Sequence, residues 1–399
     1  MIIRCLLAAL VLGGCVQSGT STSDPVRTSA SWSWELSFYF PTPKVPSDNP
    51  MSEAKFQLGR SLFYDARLSG NGQQSCSSCH DQSKAFTDGR AVSLGSTGES
   101  TPRNAQGLAN VAWHSTYTWA NPALATLERQ MEVPLFAEHP VEMGVTDQNK
   151  ATILARFQAD RDYVQRFAEV FPGEPIGFTQ IIKAIATFQR GLISASSKYD
   201  QYLQGKATLT SAELRGKDLF FGEQAECFHC HGSFNFNDQV RHAGSNTAET
   251  LFHNTGLYNI DGKGGFPEPN RGLFELSGVP ADMGMFRAPS LRNVQLTGPY
   301  MHDGSIATLE EVLEADLIVH VSDISHPDTD AQAQDVIDVL TSLGLAPGQR
   351  ETPMITVFNK IDALDAEQLE VVRSQAGDDA IPLSALSGAG LDRLQAAMD

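Results

Sequence analysis

The chain reads as a mainly α-helical protein of two related halves, closed by a short α/β segment, and three observations lead there. The pentapeptides Cys76-Ser77-Ser78-Cys79-His80 and Cys227-Phe228-His229-Cys230-His231 both spell C-x-x-C-H. Each follows a similar apolar, helix-like approach, Gly59-Arg60-Ser61-Leu62-Phe63-Tyr64-Asp65 and Gly216-Lys217-Asp218-Leu219-Phe220-Phe221-Gly222, so the text repeats once. After about residue 315 the character changes. Leu317-Ile318-Val319-His320-Val321 and Met354-Ile355-Thr356-Val357-Phe358 read as buried strands alternating with helical stretches.

Residues 1–15 read as an address. Arg4 is a short positive region, Cys5 to Leu12 is an apolar stretch too short to span a bilayer, and Leu12-Gly13-Gly14-Cys15 follows. Small residues before a cysteine resemble a bacterial lipobox, so the mature chain would start at a lipidated Cys15 held on a periplasmic membrane face. An ordinary secretory signal, cleaved a few residues later, is the alternative. Both export the chain, and a periplasmic location is expected.

Residues 16–44 read as a tether, Ser/Thr-rich and without apolar period up to about Ser31. The two halves occupy 45–204 and 205–315. Helical periods over Ala151–Phe171 and Phe178–Leu203 end the first and bridge to the second, where loops such as Asn254–Arg271 would wrap a cofactor.

The hooks have a chemical reason. Two thiols three residues apart reach both vinyl groups of one porphyrin, and the adjacent imidazole coordinates iron from the same side, the pattern of c-type haem attachment. A zinc knuckle would pair two such hooks closely; a thioredoxin-like pair would need no following histidine; a structural disulfide remains the bland alternative. Two covalent haems in two cytochrome c-like domains are therefore expected. Of the six cysteines, Cys5 lies in the leader, Cys15 is the lipidation candidate and four are hooks, which leaves no structural disulfide. The formal charge of -18 argues against nucleic acid as a partner and is compatible with a basic one, though solubility explains it equally.

Several segments in order resemble the bacterial di-haem cytochrome c peroxidases together with MauG over about 50–315. They are Leu58-Gly59-Arg60 through Ser69, the first hook, Pro102-Arg103-Asn104, Pro140-Val141-Glu142-Met143-Gly144, the second hook, His253-Asn254-Thr255-Gly256, Pro289 through Val294 and Leu296 through Gly304. Trp119-Ala120-Asn121-Pro122 and Pro134-Leu135-Phe136 look most like the MbnH-type relatives, which oxidise a tryptophan of a partner protein. The resemblance implies a peroxide-binding haem on Cys76, Cys79 and His80 and an electron-transfer haem on Cys227, Cys230 and His231. It implies Glu142 as the acid–base group, aided by Gln130, although the stretch between them is two residues longer than the peroxidase pattern. His139 is an alternative base. Trp119 matches the aromatic between the haems, and a calcium is implied by the Asn104 side chain with the carbonyls of Thr297 and Pro299. Between His80 and His114 there is no histidine, so the first haem is expected to keep an open or water-bound face.

At the second haem the resemblance breaks. The position of the family's closing methionine or tyrosine falls on Asp316; a vacant or water-ligated second iron is expected, with His320, one helical turn on, as the nearest imidazole that could replace the ligand. Residues 316–399 carry Asn359-Lys360-Ile361-Asp362 and Ser384-Ala385-Leu386-Ser387-Gly388, which resemble the guanine-reading motifs of HflX-type GTPases. No G-x-x-x-x-G-K-[ST] loop occurs, so GTP hydrolysis is not expected. The expected function is peroxide-driven oxidation of a periplasmic electron-donor protein or of an aromatic residue on a partner. A plain di-haem electron-transfer cytochrome and a guanine-nucleotide-binding protein are the rivals.

Overall fold

The computed structural model describes residues 32–223, 225–247, 250–313, 318–342, 354–376 and 380–398. The leader with Cys15, the tether up to residue 31 and Asp316 lie outside the described residues. The first half holds α1 (Glu53–Phe63), α2 (Leu127–Gln130), α3 (Glu132–Phe136), α4 (Lys150–Gln158), α5 (Arg161–Val170) and α6 (Phe178–Arg190). Ser52 starts α1 by accepting the Lys55 N–H at 3.2 Å, with Glu53 facing the helix dipole. Asp160 caps α5 by accepting from Asp162 N at 3.0 Å and Tyr163 N at 3.5 Å.

The apolar faces of these helices meet in one core containing Leu58, Leu62, Phe63, Phe157, Phe167, Ile181, Ile185 and Phe188. At its centre α1 crosses α6 so closely that a Cβ on Gly59 would lie 1.9 Å from the Ala184 carbonyl oxygen. A glycine is therefore required here for the backbones to touch.

After α7 (Lys198–Leu203), which ends the first half, the second half has less regular structure: α8 (Ser211–Phe221), α9 (Phe228–His231), α10 (Phe274–Ser277) and α11 (Leu309–Leu313), joined by long loops. Its shape depends on contacts with the first half. The buried Asp200 carboxylate receives two bonds of 2.7 Å from Arg292 Nη1 and one of 2.5 Å from the Tyr39 hydroxyl. The Arg292 guanidinium lies 5.0 Å from both the Phe40 and Phe236 rings. Residues 32–44, counted with the tether on composition, are packed. Phe40 meets Trp113 and Phe234, the Trp113 indole donates to Pro41 O at 2.8 Å, and Pro43 bridges His242. Aromatic content, not Ser/Thr content, decides the fate of this stretch.

The last segment forms a parallel sheet of order β1-β2-β3, from β1 (Ile318–Asp323), β2 (Met354–Asn359) and β3 (Ala380–Pro382), with α12 (Thr329–Ser342), α13 (Ala366–Ala376) and α14 (Leu391–Met398). The two expected strands pair in register, Ile318 with Met354 through Asp323 with Asn359. His320 therefore lies in a strand opposite Thr356, with Nε2 3.4 Å from Ser322 Oγ, and not on a helical turn. Gln395 of α14 donates to Gly262 O at 2.7 Å, tying the segment to the second half. Among the described residues no helix is long and apolar enough to cross a membrane.

The repeat supplies its own control for the helix crossing. Gly59→Ala forces backbone movement and should cost about 1–3 kcal/mol in thermal unfolding. At the matching Gly216 of α8 an added Cβ meets nothing within 4 Å. Gly216→Ala should be neutral or stabilise by roughly 0.5–1 kcal/mol through helix propensity.

Candidate active site and haem hooks

Both hooks are single helical turns. Cys79 N and His80 N donate to Cys76 O at 3.2 and 3.0 Å, and His231 N donates to Cys227 O at 2.9 Å. The four hook cysteines are unpaired. Each turn presents two thiols and an imidazole together, the donor set that a c-type haem takes.

Both imidazoles are fixed the same way. His80 Nδ1 donates to Phe86 O at 2.7 Å, and His231 Nδ1 donates to Phe236 O at 2.9 Å. This bond puts the proton on Nδ1 and leaves the Nε2 lone pair bare, the tautomer that a metal ligand needs. Burial lowers the pKa of both rings and keeps them neutral. Phe86 and Phe236 have left-handed backbone, φ 66° and 53°. Each turn thus directs its carbonyl back at the ring by a conformation that non-glycine residues seldom adopt.

Cys76, Cys79 and His80 line one cavity with Glu142, Gln130 and Trp119. Leu108, Val111, Leu127, Met131 and Leu135 supply apolar wall, so the cavity suits a flat, largely apolar ring attached through the hook. Gln130 is the last residue of α2. Glu142 sits in a strip tied down by backbone bonds from Met143 N to Pro134 O at 2.9 Å and from Val145 N to Leu135 O at 3.1 Å. Burial raises its carboxyl to about 7, with no opposing cation. His139 is exposed, 3.9 Å from Glu99, and does not line the cavity.

Trp119 reaches toward the second half. Its indole donates to Asn104 O at 3.2 Å, its own carbonyl accepts from Arg287 N at 2.8 Å, and its ring lies 6.5 Å from that of His302. Of the three residues expected at calcium, Asn104 and Pro299 meet: Asn104 Nδ2 is 3.1 Å from Pro299 O and 2.8 Å from Met301 O. The amide oxygen is buried without a partner. Thr297 lies two residues before Pro299, its hydroxyl on Val294 O at 3.1 Å. Asn104 thus turns its NH2 toward the two carbonyls and leaves its amide oxygen buried and unpaired.

Sequence reasoning missed the two phenylalanine carbonyls. A signal was present, since Phe86 follows His80 by six residues and Phe236 follows His231 by five in the two copies of the repeat. It also missed His302, buried at 4 % exposure between Trp119 and Phe286, on whose ring it stacks at 3.8 Å.

Comparison with known proteins agrees with this geometry. Residues 53–208 match the family model of the di-haem cytochrome c peroxidases. The methylamine utilization protein MauG of Methylorubrum extorquens is 32% identical over 320 residues, covering 77% of this chain and 82% of the relative. Cytochrome c551 peroxidase of Nitrosomonas europaea is 32% identical over 276 residues, 69% of this chain and 76% of the relative. A crystal structure of a MauG-like protein associated with microbial copper homeostasis is 65% identical, with a TM-score of 0.70 over 71% of this chain and 81% of that one. With two hooks that each offer the donor set of a covalent haem, the chain belongs to the di-haem cytochrome c peroxidase and MauG family, and it is an oxidoreductase with two c-type haems that uses peroxide.

Proposed function

We propose that the first cavity is where hydrogen peroxide reacts, that Glu142 moves the protons, and that the electrons come from a periplasmic donor protein or from a tryptophan or tyrosine of a partner. The observation that carries this is one buried carboxylate, raised to about 7, in the same cavity as a hook histidine whose Nε2 is bare. Haem bound at Cys76, Cys79 and His80 would supply the iron that binds and reduces peroxide. Glu142 takes a proton from the near oxygen and returns it to the far one, so that two electrons and two further protons yield two waters. Gln130 orients the peroxide from the end of α2. Trp119 lies on the route to the second haem, held by Cys227, Cys230 and His231. Likeness to the MauG-like protein associated with microbial copper homeostasis favours a role in a similar setting.

Export and anchoring through Cys15 belong to the same reading, since haem is attached to c-type hooks after export. The calcium is assigned to Asn104, Thr297 and Pro299. The last segment is assigned to a partial GTPase-like unit. In support, Asn359 Oδ1 accepts from Ala385 N at 3.0 Å and Asp362 accepts from the Ser384 hydroxyl. The electrostatic pair of Lys360 with Asp323, 2.6 Å, holds the same corner of the sheet. It has no phosphate loop and carries no hydrolysis.

Glu142 gives a pH dependence of definite sign. A carboxyl raised to about 7 is protonated below that pH, so the base form, and the rate of reaction with peroxide, should rise as pH passes upward through about 7. Glu142→Gln should keep both haems, lose that pH dependence and slow the reaction on the order of a hundredfold or more, read as decay of the ferric high-spin band after mixing. Unchanged decay would remove the role; absence of any high-spin band would favour the electron-transfer rival. For calcium, elemental analysis of purified protein should find about one per chain. Chelation, or Asn104→Ala, should lower the unfolding temperature, with added calcium restoring only the chelated parent. A metal-free preparation of full stability would dismiss the site.

A further inference from the structure

Arg287 is 2 % exposed, and among the described residues no carboxylate is bonded to it. Its Nε donates to Thr118 O at 3.0 Å, Nη2 to Gln106 Oε1 at 2.6 Å and Nη1 to His114 Nδ1 at 3.4 Å, all neutral acceptors. Asp238 acts on it only through space, its own carboxylate being bonded to His253. Burying a guanidinium without a counter-anion is costly, and the other deeply buried arginines avoid it. Arg190 has Glu128 at 2.7 Å and Arg292 has Asp200 at 2.7 Å.

The two side chains that Arg287 holds are themselves unfinished. A guanidinium only donates, so His114 Nδ1 must accept, and the ring proton must sit on Nε2. This is the opposite tautomer to that of His80 and His231, whose Nδ1 atoms donate to carbonyls. His114 therefore offers an N–H and no lone pair, and in this state it does not ligate iron. By the same logic the bond from Nη2 fixes the Gln106 amide with its oxygen on Arg287 and its NH2 turned elsewhere. His114 Nε2 and Gln106 Nε2 are both buried without a partner, and both residues line the first cavity. Burial and the adjacent guanidinium hold His114 well below its ordinary pKa, so the ring stays neutral.

Two unsatisfied N–H donors, oriented by one buried cation, belong to residues that line a cavity whose hook would fix the vinyl edge of a porphyrin. The opposite edge of that porphyrin carries its carboxylates. We propose that Gln106, His114 and Arg287 form a receptor for a propionate carboxylate of the tetrapyrrole in the first cavity. Gln106 and His114 donate the hydrogen bonds, and Arg287 is a positioning residue that orients both and balances the charge. The assignment rests on the reading that the first hook carries haem.

The test uses the full chain with its haems. Intact mass first gives haem stoichiometry: a parent with no haem on Cys76 and Cys79 defeats the underlying reading and the receptor with it. In fully loaded protein, resonance Raman bending bands of the propionates report their hydrogen bonding directly. Arg287→Gln and Gln106→Leu are expected to shift these bands to lower frequency for one haem only. Arg287→Gln should also lower that haem's midpoint potential, because a positive charge that favours the reduced state is gone, and Arg287→Lys should restore it. Unchanged bands and potential in loaded Arg287→Gln overturn the receptor while leaving the peroxidase reading intact. If Arg287→Gln does not accumulate, the Raman shift of Gln106→Leu, which keeps the charge, decides alone. A first haem that is low-spin in the parent and turns high-spin in His114→Gln would also overturn it, by making His114 an iron ligand.

Discussion

Which ring nitrogen holds the proton is the constraint on which the rest of this molecule depends. A hook histidine is useful to iron only with Nε2 bare, and here that state is favoured in both halves by a backbone carbonyl that accepts from Nδ1. The carbonyl points inward because its residue takes a left-handed conformation, at a cost of order 1–3 kcal/mol for a non-glycine residue. In the first half Phe86 is itself buried in the main core, 9 % exposed and 6.2 Å from Phe63 of α1. The crossing of α1 and α6 through Gly59 builds that core. Helix packing, turn strain and metal-ligand chemistry thus form one chain of dependence.

The seam between the halves shows how charge is used once it is buried. Arg292 and Asp200 are nearly inaccessible and paired with each other, with Tyr39, Ser197 and the Phe234 carbonyl adding further bonds. Such a pair contributes little net stability but fixes one arrangement, since removing either partner strands the other. It joins α7, the loop after Pro289 and the N-terminal segment around Phe40, so it sets how the second hook lies against the first half. Arg287 sits in the same seam without an anion. The contrast assigns different purposes: one arginine fixes the protein to itself, the other holds groups open toward the cavity.

Much of this was legible in the sequence, and the reasons are physical. The hooks are local, since two thiols and an imidazole in five residues declare their chemistry without tertiary context. The repeat, the helical approach segments and strands β1 and β2 were visible as pattern, whereas Glu142, Gln130 and Trp119 were reached only through the family resemblance. What escaped depends on contacts far apart in the chain. Arg287 reads as an ordinary exposed arginine until residues 106, 114 and 118 close over it. Residues 32–44 read as linker until Phe40 meets Trp113 and Phe234. Gly59 and Gly216 are equivalent in the repeat, yet only one touches a helix. β3 is three residues long, too short to announce itself.

The last segment constrains the second haem by register. α11 ends at Leu313 and β1 begins at Ile318, while Asp316, on which the family resemblance places the closing ligand, lies outside the described residues. Within β1, residues two apart share a face, and His320 and Ser322 do so with 3.4 Å between their side chains. Freeing His320 to reach iron would unpair a strand with six residues in register against β2, at about 0.5–1.5 kcal/mol for each hydrogen bond lost. One histidine–iron bond would have to outweigh that loss together with the burial of Val319 in the sheet's small core. The sheet therefore holds His320 in its strand, opposite Thr356.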